Sequence, residues 1–299
     1  PVKRGPADWF VGATPGGVRS DERLLELHRA VGTGFIIDDE GYLITSAHLV
    51  ATHTKLQARL HDGTRVALQR VGIDPPSDLA LLRLKGPHRK IKALRLTPTL
   101  PEVGEWVVAL GRPFGAQISA TAGIVSAKPR DDLPGSVHRA WRLLQTDLRI
   151  HAGNAGGPII SMLGEVVGIA TVLRQETEGV GFAVPAATIR RLLPTIKRHG
   201  SVKRAHIGAY IVPDSRARTA GLGDKKGALV ESVLPGGPAA RAGLRAHDII
   251  VSFDGRPVER ANDLWWLASL AGVERDVKVE VLRGKGRLQF HLRTQKIPD

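Results

Sequence analysis

Residues 144–158, Leu-Gln-Thr-Asp-Leu-Arg-Ile-His-Ala-Gly-Asn-Ala-Gly-Gly-Pro, hold the turn on which the reading of this chain depends. Their second half, Gly153-Asn154-Ala155-Gly156-Gly157-Pro158, feeds a short apolar strand at Ile159-Ile160. Alone, such a glycine-rich run is only a turn. Two earlier segments change its meaning. In Ile44-Thr45-Ser46-Ala47-His48 an apolar strand ends in small residues and presents a histidine. In Ser77-Asp78-Leu79-Ala80-Leu81-Leu82 an aspartate leads into a buried strand. A lone histidine or aspartate there is usually structural. In the order histidine, aspartate, glycine-rich turn, they form a far more specific set.

Working outward, short runs rich in Val, Ile and Leu recur between turn signals at 34–37, 42–45, 56–60, 66–71, 79–84, 106–110, 118–127, 143–146, 159–160, 166–172 and 181–184. Many short strands at such spacing predict an all-β barrel or sandwich. One helix follows, over 186–197, with His199-Gly200 as its stop signal. Residues 198–204 are polar and read as a linker. A second unit over 205–295 is expected to be small and α+β, with strands at 208–212, 228–233, 249–253, 277–282 and 288–292 and helices at 238–242 and 261–271. Ahead of all this, residues 1–31 form an N-terminal segment with helix-like character over 22–30. Its adjacent Trp9 and Phe10 are suited to docking on the core or on a neighbouring subunit.

The stretches GYLITSAHLV, SDLALLRL and LQTDLRIHAGNAGGP, followed by GEVVGIAT and GFAVP, resemble the HtrA (Deg) family of trypsin-like serine proteases across nearly all of residues 32–295. The resemblance implies a mainly β fold, a trypsin-like double six-stranded β-barrel over 32–197 followed by a small α+β PDZ domain. It makes His48 the general base, Asp78 the residue that orients it, and position 155 the nucleophile. A serine hydroxyl attacks only when an imidazole accepts its proton, and the imidazole needs a carboxylate to fix its tautomer. The oxyanion hole falls on Gly153, Asn154 and Ala155, with the amides of Gly153 and Ala155 as donors. In the family the turn reads Gly-Asn-Ser-Gly-Gly-Pro. Ala155 has no oxygen, and loss of the nucleophile alone costs about a million-fold in rate. The chain is therefore expected to be a serine endopeptidase in inactive form. A single serine-to-alanine exchange in an otherwise intact set reads as an engineered knock-out. The alternative is a natural pseudoprotease acting as a peptide-binding chaperone or sensor.

Arg149 lies six residues before the nucleophile position, near the base of the specificity pocket in trypsin-like enzymes. An acidic floor that would select Lys or Arg is thus absent. Ile150, Ile169 and Thr171 suggest a small aliphatic preference. Residues 128–142 match the family's sensor loop, with Arg139 and Arg142 as its contact candidates. The run from His206 to Ala209, and then GALVESVLPGGPAARAGLRAHDIIVSFDGRPV, resembles the family's PDZ domain. Such domains capture a C-terminal peptide as an added strand. The groove residues would be His206, Ile207, Gly208, Ala209, Leu264, Trp265 and Ala268. Since Trp265 and Trp266 are adjacent, both cannot face it.

With no cysteine in 299 residues, disulfides and thiolate chemistry are excluded. The 11 histidines never fall in a ligand spacing, so neither metal nor cofactor is expected. Lys and Arg total 43 against 29 Asp and Glu, a net charge of +14, which favours anionic partners. The basic residues are scattered and lack interleaved aromatics, so nucleic acid is not the expected ligand. Expected partners are unfolded or misfolded proteins, C-terminal peptides, and two further copies in a homotrimer built through the N-terminal segment. The family implies the periplasm or cell envelope. A chain that starts at Pro1 is expected to be a trimmed product whose signal or membrane anchor is gone.

Overall fold

The computed structural model describes residues 11–14, 30–86, 91–112, 117–130, 143–172 and 179–297. The chain divides into two compact units, Pro1–Val202 and Lys203–Asp299. In the first, seven strands form an antiparallel sheet: β1 (Val11–Thr14), β2 (Ala30–Gly32), β3 (Gly34–Ile36), β4 (Tyr42–Ser46), β5 (Lys55–Arg59), β6 (Arg65–Asp74) and β7 (Leu79–Leu84). Their order is β2-β1-β5-β6-β7-β4-β3. The two edges, β2 and β3, are successive pieces of one segment parted only by Thr33. The sheet therefore rolls up on itself as six strands. Its sequence shows why. In β5 the residues alternate, with Leu56 and Ala58 buried and Lys55, Gln57 and Arg59 exposed. In β7 only Arg83 reaches solvent.

Six more strands close the second barrel: β8 (Trp106–Gly111), β9 (Ser119–Arg130), β10 (Leu143–Thr146), β11 (Pro158–Ser161), β12 (Val166–Thr171) and β13 (Gly181–Pro185). They run in the order β10-β13-β12-β11-β8-β9. Val107, Val125, Leu144, Leu148, Ile159 and Val167 fill it. Each such side chain contributes about 1.5–3 kcal/mol by burial. Helix α1 (Ala186–His199) then buries Ile189, Leu192 and Ile196 on one face. It outruns its expected end by two residues, so Arg198 and His199 are helix rather than linker. Gly200 caps it at φ 73°. The Gly200 carbonyl accepts a hydrogen bond from Ile73 N at 3.0 Å. A Cβ on Gly72 would stand 2.4 Å from that same oxygen, so only glycine allows the two backbones to meet. The helix expected over 22–30 is corrected at Ala30, which opens β2. The rest of it, Trp9 and Phe10 lie outside the described residues.

The second unit contains β14 (Ala205–His206), β15 (Ala209–Ile211), β16 (Ala228–Val233), β17 (Ile249–Phe253), β18 (Arg256–Pro257), β19 (Asp276–Arg283), β20 (Gly286–Arg293) and β21 (Gln295–Lys296). The main sheet runs β15-β16-β17-β19-β20, and β14 pairs with β21. Helices α2 (Asp214–Ala217), α3 (Pro238–Ala242) and α4 (Ala261–Ser269) pack around it. Ile207, Val230, Ile250, Phe253, Leu264 and Val279 belong to its core. Buried Asp248 takes two bonds from Arg283, at 2.7 and 2.8 Å. Those bonds hold the Arg283 guanidinium above its ordinary range, against the opposing effect of desolvation.

Candidate active site

Strand β4 ends at Ser46, and a single 3₁₀ turn, Ala47–Leu49, turns His48 outward. The His48 side chain is 47% exposed, while that of Asp78 is only 4% exposed. Asp78 follows the 3₁₀ turn Pro75–Ser77 in a left-handed conformation, φ 51° and ψ 37°. Among non-glycine residues only Asn and Asp visit that region routinely, and the position stores of order 1 kcal/mol. Two contacts hold it. Ala47 N donates to the Asp78 carbonyl at 3.0 Å, and Asp78 N donates to Pro75 O at 3.0 Å. Just upstream, Ser77 Oγ donates to the Asp74 carboxylate in a buried pair.

The Asp78 carboxylate is well supplied with donors. It accepts His48 N on Oδ1 at 2.9 Å and lies 2.9 Å from His48 Nδ1 through either oxygen. It also accepts the hydroxyl of Thr171, from β12, on Oδ2 at 3.1 Å. With Nδ1–H given to the carboxylate, Nε2 is left as the acceptor that a general base requires. Thr171 was expected in the specificity pocket; its hydroxyl instead serves the carboxylate.

Position 155 is brought up to this pair by backbone packing. Thr33 N donates to Ala155 O at 2.8 Å, and Thr45 Oγ1 donates to Thr33 O at 2.7 Å. A Cβ on Gly32 would strike both Leu49 of the histidine turn, at 2.2 Å, and Ala155 O, at 2.9 Å. Gly156, at φ 80°, lies so close to Thr33 O, Thr45 Oγ1 and Ser46 N that any side chain would collide. The glycines of the turn are thus what lets it reach the end of β4. Thr33 and Gly32 carry no motif signal, and sequence reasoning missed them.

The turn itself is wound tightly. Ala152–Asn154 form a 3₁₀ turn, with Asn154 N donating to His151 O at 2.8 Å. In such a turn each amide faces the carbonyl three residues back. The amides of the two glycines that follow are also engaged, Gly156 N donating to Ala170 O at 2.8 Å and Gly157 N to Asn154 O at 2.9 Å. Asn154 is buried and its Oδ1 has no partner among the described residues, a cost of about 1–3 kcal/mol. Its Nδ2 reaches Arg149 O at 3.5 Å. Arg149 is exposed, Ile150 is half-buried against the barrel core, and Ile169 is 1% exposed. Asp147 turns to Ile124 N, at 2.6 Å. Beside the turn, Arg112 N lies 3.1 Å from Thr33 Oγ1 and 3.4 Å from Gly153 O. Burial, and then the charge of Arg59, lower the pKa of Arg112. Arg139 and Arg142 lie outside the described residues. No group of three metal-ligating side chains occurs among the described residues.

In the second unit, β15 is an edge strand with one side unpaired. Ile207, Leu264 and Ala268 share a buried cluster, with Ala209, Ile211 and Leu267 packed against it. The N–H of Gly208, one of the expected groove residues, donates to His206 Nδ1 at 3.1 Å. Trp265 and Trp266 both stack on the Arg204 guanidinium, each 5.7 Å from it. Trp265 is thus engaged with Arg204, and Leu267 takes the inward position beside Leu264.

Two six-stranded barrels, with a histidine–carboxylate pair and a glycine-rich turn packed between their strands, define a trypsin-like serine peptidase. Residues 32–169 match the family model of the trypsin-like peptidase domain, and residues 205–294 that of the PDZ domain. A probable periplasmic serine endoprotease, DegP-like, of Pseudomonas putida is 37% identical over 276 residues, covering 91% of this chain and 57% of that protein. The HtrA-type protease AlgW with a tripeptide superposes with a TM-score of 0.83 at 28% identity, over 98% of this chain and 95% of that one. A serine-to-alanine form of AlgW, also with a tripeptide, gives 0.79 at 28%, over 98% and 94%. The chain belongs to the HtrA (Deg) family of trypsin-like serine proteases with a C-terminal PDZ domain. It spans little more than half the length of the curated relatives it matches.

Proposed function

We propose that this chain is an endopeptidase of protein quality control in the periplasm or cell envelope, held in a form that binds polypeptide without cleaving it. Its substrates are unfolded or mislocalised proteins, and its second unit senses their C-terminal peptides. The observation that carries the reading is the site at position 155. A base, an orienting carboxylate and a supporting hydroxyl, Thr171, are assembled around a residue with no oxygen to activate. Ala155 then stands for an exchanged serine, and Gly153, Asn154 and Ala155 for the oxyanion hole. The periplasmic relatives support the compartment.

Self-association in a homotrimer is part of the same proposal. Trp9 and Phe10 would contribute from the N-terminal segment. A supporting feature lies at one end of the second barrel. Trp106 and Met162 each lie one residue beyond the last β8–β11 pair, Val107 with Ser161, and with Val103 and Leu163 they are 57–89% exposed. Isolated apolar residues on a surface are ordinary, whereas a contiguous group marks an interface.

The natural pseudoprotease, working as a peptide-binding chaperone or sensor, is favoured by the occupied Gly208 amide. Casein degradation followed on a gel separates the two readings. Cleavage by the Ala155→Ser variant, and none by the chain as it stands, supports the protease; no cleavage by either, with hydrophobic C-terminal peptides present, supports the pseudoprotease.

A further inference from the structure

The outward face of β5, β6 and β7 carries charge of one sign. Cross-strand registry places Arg59 directly opposite Arg65, and Gln69 opposite Arg83. Lys55 lies on the same face of β5 as Arg59, about 13 Å along the strand. Lys85 continues the alternation beyond Arg83, and its amide is bonded to Ala67. The remaining outward positions, Gln57, Ala67 and Gln69, are uncharged. The Asp62 carboxylate, at the hairpin tip, is turned onto Thr64 N. Among the described residues no carboxylate pairs with Lys55, Arg59, Arg65 or Lys85. Like charges directly opposed across a ladder destabilise the sheet, so the Arg59–Arg65 pair has no evident structural benefit.

This face adjoins the glycine-rich turn. Val11 pairs with Gly32 on one side and Ala58 on the other. Two strand spacings, about 10 Å, therefore separate Gly32 from the residue before Arg59. Thr33, next to Gly32, bonds Ala155 through its amide, and its hydroxyl touches Arg112 N and Gly153 O. Arg59 and Arg65 thus stand at the end of this face nearer the turn, and Lys55 at the far end.

We infer that this track is a docking surface for an acidic segment of the bound polypeptide, gripping it outside the catalytic cleft. The inference rests on the reading of the chain as a polypeptide-binding protease. Carboxylates spaced along an extended chain match cations spaced along a strand. Nucleic acid fits less well, because among the described residues the face offers no free aromatic ring for base stacking. The adjoining Tyr42 is already covered by Lys197 and Arg83.

The test uses the protein with Ala155 in place, so it does not depend on restored cleavage. Fluorescence anisotropy would follow a labelled Asp/Glu-rich peptide and its Asn/Gln counterpart. Both are amidated at the C-terminus to keep them out of the PDZ groove. The acidic peptide is expected to bind more tightly at about 0.05 M NaCl, with the margin shrinking at about 0.3 M. R59Q/R65Q should weaken it roughly three- to tenfold, the size of two exposed ion pairs. K225Q/R256Q removes equal charge from the second unit and should leave binding unchanged. Equal binding of the two peptides, or an equal loss in both double variants, overturns the proposal. So does a loss in R59Q/R65Q seen only with single-stranded DNA or anionic lipid vesicles.

Discussion

The two units each hold a histidine whose Nδ1 lies about 3 Å from a partner, and they use it in opposite senses. In the first unit His48 Nδ1 faces the Asp78 carboxylate, which can only accept. The proton must then reside on Nδ1, and Nε2 is the free lone pair. In the second unit His206 Nδ1 faces the amide of Gly208, which can only donate. There the lone pair sits on Nδ1 and any neutral-ring proton on Nε2. The same side chain is poised to remove a proton in one place and to occupy a donor in the other. What decides is the partner that the backbone supplies. The difference teaches that a histidine's role follows from its second contact more than from its position after a strand.

The largest effect expected is the gain on making Ala155→Ser. If the His48 arrangement is competent, casein cleavage should rise by up to about a million-fold over the present chain. In that variant Asp78→Asn should lower kcat by about ten-thousandfold, since an amide no longer dictates the tautomer. Steady-state kinetics on a casein-derived fluorogenic peptide would measure it. A loss below tenfold would mean that the contrast between the two histidines is not set by their partners. Thr171→Val should lower kcat by a smaller factor of about three to ten, with KM little changed. An effect on KM instead would return Thr171 to the specificity pocket. His206→Phe frees the Gly208 amide and should tighten a hydrophobic C-terminal peptide about two- to tenfold by calorimetry. Unaltered affinity would show that this amide takes no part in peptide capture.

Most of the strand plan was legible because apolar residues alternate or run together where strands lie. Residues 79–84 and 143–146 were expected and occur with those bounds. Strands β1 and β2 escaped notice because Val-Gly-Ala-Thr and Ala-Val-Gly have too few large side chains to show a period. They become strands through pairing with β5 and with each other. The histidine, the aspartate and the glycine-rich turn that the structure packs together were each legible from a local motif. Their supports were not, since Thr171 and Asp78 are 93 residues apart in sequence. The His206–Gly208 bond had a signal available: a histidine two residues before a glycine, in a loop whose amide is needed elsewhere. The adjacent tryptophans posed a puzzle that Arg204 answers, since the guanidinium accepts a ring from each.

The meeting of Gly72 with Gly200 bears on where the first unit can be severed from the second. A chain stopped at Lys197 would appear to keep every strand and most of α1. It would lose the carbonyl that Ile73 N binds and the backbone that fills the notch above Gly72. The strand exposed there runs directly through Asp74 to Asp78. Trimming residues 198–202 from the C-terminal side would thus loosen the Asp78 carboxylate from behind. A shortened protease should therefore end no earlier than Val202, where the first unit ends.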